Sequence, residues 1–291
     1  LPATEPDDGR DHLRKRCYIR TVATVSSVNL VAHTFEAQGY VNLFWEDAEF
    51  ATRVKETQGL EVKCGSVATE GVYWAPIELR DDGELLPINP HNMFANQLSL
   101  EHPGPLKVVF NDKMGVVEVQ LTFKAELTTF FDLHNFPFDR QILGLQINFR
   151  SGCFKLSPEP FQGVPDRWNL RSPVSIALAP SVSDQFALRA SQPFVYDCRD
   201  WKPVVRIMCE RNSTPWVLNF VLPTFIIVLC GGSAGFMPAS DVSGRASMLV
   251  TLMLTLVALK FSVADQLPVV PYLTLLDKDL LIGFTMLVGQ L

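Results

Sequence analysis

Between Arg245 and Asp265 an apolar stretch keeps all its hydroxyls and its one acid on one side of a helix. With Ser247 set at 0° and about 100° per residue, Thr251 falls near 40°, Thr255 near 80°, Ser262 near 60° and Asp265 near 0°. Leu254, Ala258 and Phe261 lie within about 40° of Ser247, while Lys260 points to nearly the opposite side. These residues cannot transfer protons or attack a substrate as a set. Their chemistry is hydration: a wettable path along an otherwise oily helix. About 20 helical residues rise about 30 Å, the thickness of a bilayer's hydrocarbon. The pattern therefore predicts a helix lining a pore. The alternative is a helix whose hydroxyls bond back to its own carbonyls.

The elements that must hold this stripe are legible in the composition. Up to Arg211 the chain carries 27 acidic and 22 basic residues, a net charge of −5. Beyond it there are only four acids (Asp241, Asp265, Asp277, Asp279) and three bases (Arg245, Lys260, Lys278). Three apolar runs follow, Trp216 to Ala234, Ala246 to Ala264 and Tyr272 to Leu291, each long enough to span a bilayer. Helices are expected over about 216–236, 243–265 and 271–291. Lys260 is placed to snorkel. Asp277, Lys278 and Asp279 are costly inside the third run unless paired or wetted. The mild acidic excess argues against nucleic acid as a partner.

The first two-thirds reads as strands. Cys17 to Asn29, Gly39 to Trp45, Val116 to Glu126, Gln141 to Arg150 and Val204 to Cys209 are rich in β-branched and aromatic residues, often alternating. Turn signals separate them at Asp81-Asp82-Gly83, Asn89-Pro90-His91-Asn92, His102-Pro103-Gly104-Pro105 and Gly163-Val164-Pro165-Asp166. An antiparallel sandwich over residues 1–211 followed by a helical domain over 212–291 is expected. The six cysteines show no CxxC pair, so a zinc site is not expected. Cys17, Cys64, Cys153 and Cys198 could pair in an extracellular domain, and spacing does not say which. Asn212-Ser213-Thr214 is formally a glycosylation sequon, expected to stay unused so near a membrane. His12, His33, His91, His102 and His134 form no ligand set. No catalytic constellation or phosphate loop is present, so neither an enzyme nor a cofactor is expected.

One segment is specific. Phe136-Pro137-Phe138-Asp139-Arg140-Gln141 resembles the loop by which subunits of pentameric ligand-gated ion channels, the Cys-loop receptor superfamily, press on their membrane domain. The rest agrees in order. Trp45-Glu46-Asp47 resembles the W-x-D of the family's second strand, and Trp74-Ala75-Pro76 its W-x-P. Arg211 stands where the family keeps an arginine before the first membrane helix, and Asn219 with Pro223 repeat that helix's N-x-x-x-P. Gln266-Leu267-Pro268 with Pro271-Tyr272-Leu273-Thr274 resemble the linker between helices two and three. The eponymous cysteines are replaced by Thr129 and Leu143, as in bacterial and some microbial members. The family's fourth helix is not in this sequence.

The resemblance implies an extracellular immunoglobulin-like sandwich on a multi-pass plasma-membrane domain, with four identical partner subunits, surrounding lipid and permeant ions. Ser243, Ser247, Thr251, Leu254, Ala258, Phe261 and Asp265 would line the pore, with Leu254 and Phe261 closing it by dewetting. Asp139, Arg211, Phe136, Pro137, Pro268 and Tyr272 would couple the two domains. Tyr40, Arg150, Tyr196 and Trp201 would stand at the ligand site. Arg150 there disfavours the ammonium ligands of an aromatic box, leaving another small-molecule agonist or protons as the stimulus. His134 and the acid-rich surface are compatible with protons.

Selectivity is less determined. The family's cation channels usually carry a glutamate before the basic residue at the foot of the second helix, whereas Ser243-Gly244 precede Arg245 here. Asp241 would form either a helix-start salt bridge worth about 0.3–0.5 kcal/mol or an acidic ring. Asp265 on the stripe and the net −5 of the first domain favour cations. Anion conduction, and a membrane-anchored binding protein without a pore, are the alternatives.

Overall fold

The computed structural model describes residues 15–50, 72–76, 86–102, 107–111, 115–150, 154–157, 174–189, 194–197, 203–238, 240–264 and 266–290. A β-sheet-rich region comes first and helices follow. The strands are β1 (Lys15–Asn29), β2 (Thr34–Glu46), β3 (Val72–Pro76), β4 (Gln97–Glu101), β5 (Lys107–Asn111), β6 (Val116–Thr128), β7 (Arg140–Gln146), β8 (Phe154–Leu156), β9 (Val174–Leu178), β10 (Phe186–Leu188), β11 (Phe194–Asp197) and β12 (Val204–Arg211). One sheet runs β3-β5-β6-β2-β1-β8, with β4 also on β6 and β9 on β1. The other runs β10-β12-β11, with β7 on β12.

Alternation explains the long strands. In β6, Val117, Val119, Leu121, Phe123, Ala125 and Leu127 are all buried, every second residue. They join Val41, Leu43 and Trp45 of β2 and Leu145 and Val205 of the other sheet in one core. The expected strand 141–150 instead ends at Gln146, after which Ile147 and Phe149 make single bridges to Phe94 and Ile88. The expected turn at Asn89 is a 3-10 turn, Pro90–Asn92, whose first N–H groups are served by the Asn89 side chain accepting from His91.

Cys17 is a correction. It is a free thiol, fully buried in the core, where burial raises its pKa well above the ordinary thiol range. The other three pairing candidates, Cys64, Cys153 and Cys198, lie outside the described residues.

Gly39 faces Ala23 across β1 and β2. A Cβ there would overlap the backbone carbonyl of Val22, which cannot yield as a flexible side chain would. Gly39→Ala is expected to lower stability by about 1–3 kcal/mol, read as a lower thermal midpoint of the full chain in detergent. An unchanged midpoint would mean that the strands part without cost.

Helix α1 spans Thr214–Phe236 and α2 spans Val242–Ala264, 23 residues each and both long and apolar enough to cross a membrane. In α1, Val217–Val221 form a π turn, and the N–H of Leu222 bonds to the carbonyl of Val217. Pro223 supplies the reason, because it has no N–H to continue an α-helical ladder. Helix α3, Leu275–Gly289, is 15 residues and starts later than the expected 271. Thr274 and Asp277 form a reciprocal capping box that fixes its first turn. The charges at 277–279 therefore sit at the helix start, where Asp277 complements the dipole. Gly283 lets α3 close on both neighbours: a Cβ there would lie 3.2 Å from Thr224 and 3.6 Å from Leu256.

Candidate functional site

The buried side of α2 is marked by Leu249, Leu256 and Val263, at 0%, 3% and 6% exposure. On the wheel that places Ser247 at 0° these fall at about 200°, 180° and 160°. The face packed on α1 and α3 is thus diametrically opposite the polar stripe. Ser243, Ser247, Thr251, Leu254, Ala258 and Phe261 are all exposed, Leu254 by 68% and Phe261 by 70%. Asp265 lies outside the described residues.

The hydroxyls do bond back. Thr251 Oγ1 donates to the Ser247 carbonyl at 2.8 Å, Thr255 Oγ1 to Thr251 at 2.9 Å and Ser262 Oγ to Leu259 at 2.7 Å. Exposure and back-bonding therefore coexist. Each of these three hydroxyls has spent its proton on the helix and keeps only lone pairs for the outside. At the foot of α2, Asp241 accepts from the Gly244 N–H at 2.9 Å. It is a helix cap, and no side-chain bond to Arg245 accompanies it among the described residues, so the expected salt bridge is absent there.

The residues expected to couple the two domains converge where sheet meets helix. Arg211, at the end of β12, donates from Nε and Nη2 to the two Asp139 oxygens at 2.6 and 3.0 Å. The two side chains are 2% and 1% exposed. The guanidinium lies over the Phe136 ring at 4.9 Å and the Phe186 ring at 4.6 Å. Gln141 donates to Asp139 and to the Asp132 carbonyl, which ties the pair to its own loop. The Phe136–Pro137 peptide is cis. Trp216 of α1 packs edge-on against Phe136 at 4.6 Å. Thr129 Oγ1 donates to the Ile142 carbonyl at 3.1 Å, closing the loop by a hydrogen bond.

The linker docks from the other side. The Leu275 and Leu276 N–H groups donate to the carbonyls of His134 and Phe136 at 3.0 and 3.1 Å. Tyr272 accepts at its hydroxyl from the Leu133 N–H at 3.1 Å. Its ring stacks on His134, centroids 3.7 Å apart and planes 7° from parallel. Pro268 is buried beside them, lining with Lys260, Tyr272 and Asp277 a cavity of about 340 Å3. Asn212 is also engaged at this level, donating to the Asp184 carbonyl at 3.4 Å.

All six residues expected to couple the domains are thus brought into one region. Gln141, Phe186 and Trp216 join them without having been singled out. Gln141 stood in the quoted motif, but nothing in the sequence announced Phe186, which belongs to another strand. The described ligand-site candidates lie on separate elements. Tyr40 lies on β2 in the larger sheet and Arg150 follows β7, its N–H on the Pro87 carbonyl at 2.9 Å. Tyr196 sits on β11 of the smaller sheet, paired with Val205, its side chain outside the described set. Trp201 lies outside the described residues. Among those residues no group of three or more His, Cys, Asp or Glu is placed to hold a metal. Comparison with protein families and with curated proteins finds no match.

Proposed function

We propose that the chain is one subunit of a homopentameric ligand-gated ion channel of the Cys-loop superfamily. An extracellular immunoglobulin-like sandwich, 1–211, drives a plasma-membrane domain, 212–291, and five copies of α2 line the path of small cations. One observation carries this reading: packing against α1 and α3 uses the apolar face of α2 and leaves the polar stripe free. A helix anchoring a poreless protein has no need for that arrangement. The buried Asp139–Arg211 pair and the docked linker supply a mechanical route from the β-loop to α2. The stimulus is a small agonist or protons.

Cations are favoured by the hydroxyl geometry. Oxygens that have donated inward present acceptors outward, which solvate a cation and not an anion. The full chain in detergent is expected to form five-fold particles. In vesicles bearing a dilution gradient of potassium chloride, the reversal potential is expected to follow potassium. Reversal at the chloride potential would assign the pore to anions. Monomers without conductance would favour the poreless binding protein.

A further inference from the structure

The contact between His134 and Tyr272 has a geometry that neutral rings avoid. With centroids 3.7 Å apart and planes 7° from parallel, the rings lie almost squarely one over the other. Neutral aromatic pairs prefer an offset or an edge-on approach, because a square sandwich opposes like quadrupole faces. A cation over the tyrosine face reverses that sign and attracts. The other end of the imidazole agrees. His134 Nδ1 lies 2.6 Å from Asp132 Oδ1, a charge-assisted length, and the His134 N–H donates to the same oxygen at 3.1 Å.

We propose that His134 is a proton-operated latch: as imidazolium, clamped by the Asp132 carboxylate, it holds Tyr272 and so fastens the α2–α3 linker to the β-loop. This rests on the channel reading only for its consequence, that acidification strengthens coupling. The latch itself is a property of the fold. The surrounding groups leave it to these three residues. On the same loop Asp139 is committed to Arg211. On α3, Asp277 is committed to the Thr274 cap, and Lys278 follows it. On α2, Lys260 lines the cavity behind Tyr272. The linker's own titratable group among the described residues is Tyr272.

Both edges of the working range follow from charge. The latch needs a proton on the imidazole and none on the Asp132 carboxylate. On the acid side it opens when Asp132 gains one. The ring hydrogen bond from His134, and then that from its backbone, hold the Asp132 carboxyl below the usual carboxylate range. A depressed carboxylate contributes above its unfolded value and is lost as pH falls through its folded value. The latch is therefore closed at mildly acidic pH.

Hydrogen exchange of the full chain in lipid nanodiscs tests this, because the Leu275 and Leu276 amides, where the linker enters α3, bond to the β-loop carbonyls. After correction for the intrinsic pH dependence of exchange, their protection is expected to be about fivefold greater near pH 5.5 than near pH 7.5. Tyr272→Phe keeps the ring and should keep most of the pH ratio. His134→Gln keeps a donor for Asp132 without the charge, and Tyr272→Leu removes the ring, so both should flatten it. Protection of β6 amides checks that each variant is folded. A wild-type ratio in His134→Gln, or a flat wild type, overturns the latch. Exchange needs no conductance: pH-graded exchange without currents would sink the channel reading alone, and pH-graded currents with flat exchange would sink the latch alone.

Discussion

Reversing either charge of the Asp139–Arg211 pair is expected to cost about 3–5 kcal/mol of stability and to disconnect stimulus from opening. Both side chains are almost wholly buried, so a single reversal leaves two like charges without water. The guanidinium is also enclosed by Phe136 and Phe186, which a carboxylate at 211 would meet as electron-rich faces. The double swap, Asp139→Arg with Arg211→Asp, should recover the attraction between the charges but not the aromatic sandwich. Partial restoration is therefore expected, in thermal midpoint and in evoked current alike. The neighbouring pair Arg140–Glu210, at 3.2 Å with side chains 70% and 43% exposed, serves as the contrast. Arg140→Glu should cost no more than about 1 kcal/mol and leave gating intact. Equal losses at the two pairs would contradict the assignment of the buried one to coupling.

Leu254→Ser is expected to shift activation strongly toward opening. Within one subunit Leu254 touches little, being 68% exposed, so the thermal midpoint should hardly move. In the proposed pentamer its effect comes from the assembled ring. Burying a leucine side chain is worth about 1.5–3 kcal/mol. If a third to a half of that is lost when the ring opens, each substitution favours opening by about 1 kcal/mol. Five copies then amount to about 5 kcal/mol, more than a thousandfold in the open–closed equilibrium. Agonist or proton dose–response curves of the expressed protein read this directly. A curve that stays in place would put Leu254 on a flank of α2 and off the axis.

Much of this architecture is local and could be read from the chain. The alternation of β6 and the hydroxyl stripe depend on neighbours two to four positions apart, and those spacings are fixed by backbone geometry. The motif from Phe136 to Gln141 marked the loop that meets the helices, and Arg211 was singled out as the partner of its Asp139. The short strands β3 to β5 and β8 to β11 were not legible, because three to five residues carry too little periodicity to separate a strand from a turn. Helix α3 was placed too early because its apolar run begins before the Thr274–Asp277 cap that actually starts it.

What the sequence determined, then, was which faces and side chains are chemically able to act: one wettable stripe, one acid–base pair, one aromatic linker. Which of them meet was decided by the tertiary structure. Arg211 finds Asp139 across 72 positions, Phe186 closes over it from a third strand, and Tyr272 reaches His134 from the far side of two helices. The stripe of α2 faces outward because Leu249, Leu256 and Val263 are taken up by α1 and α3. The physical reason is the same in each case. Side-chain character and helical phase are encoded residue by residue, but a contact between distant segments depends on how the whole chain closes around its core, and no spacing in the sequence records that.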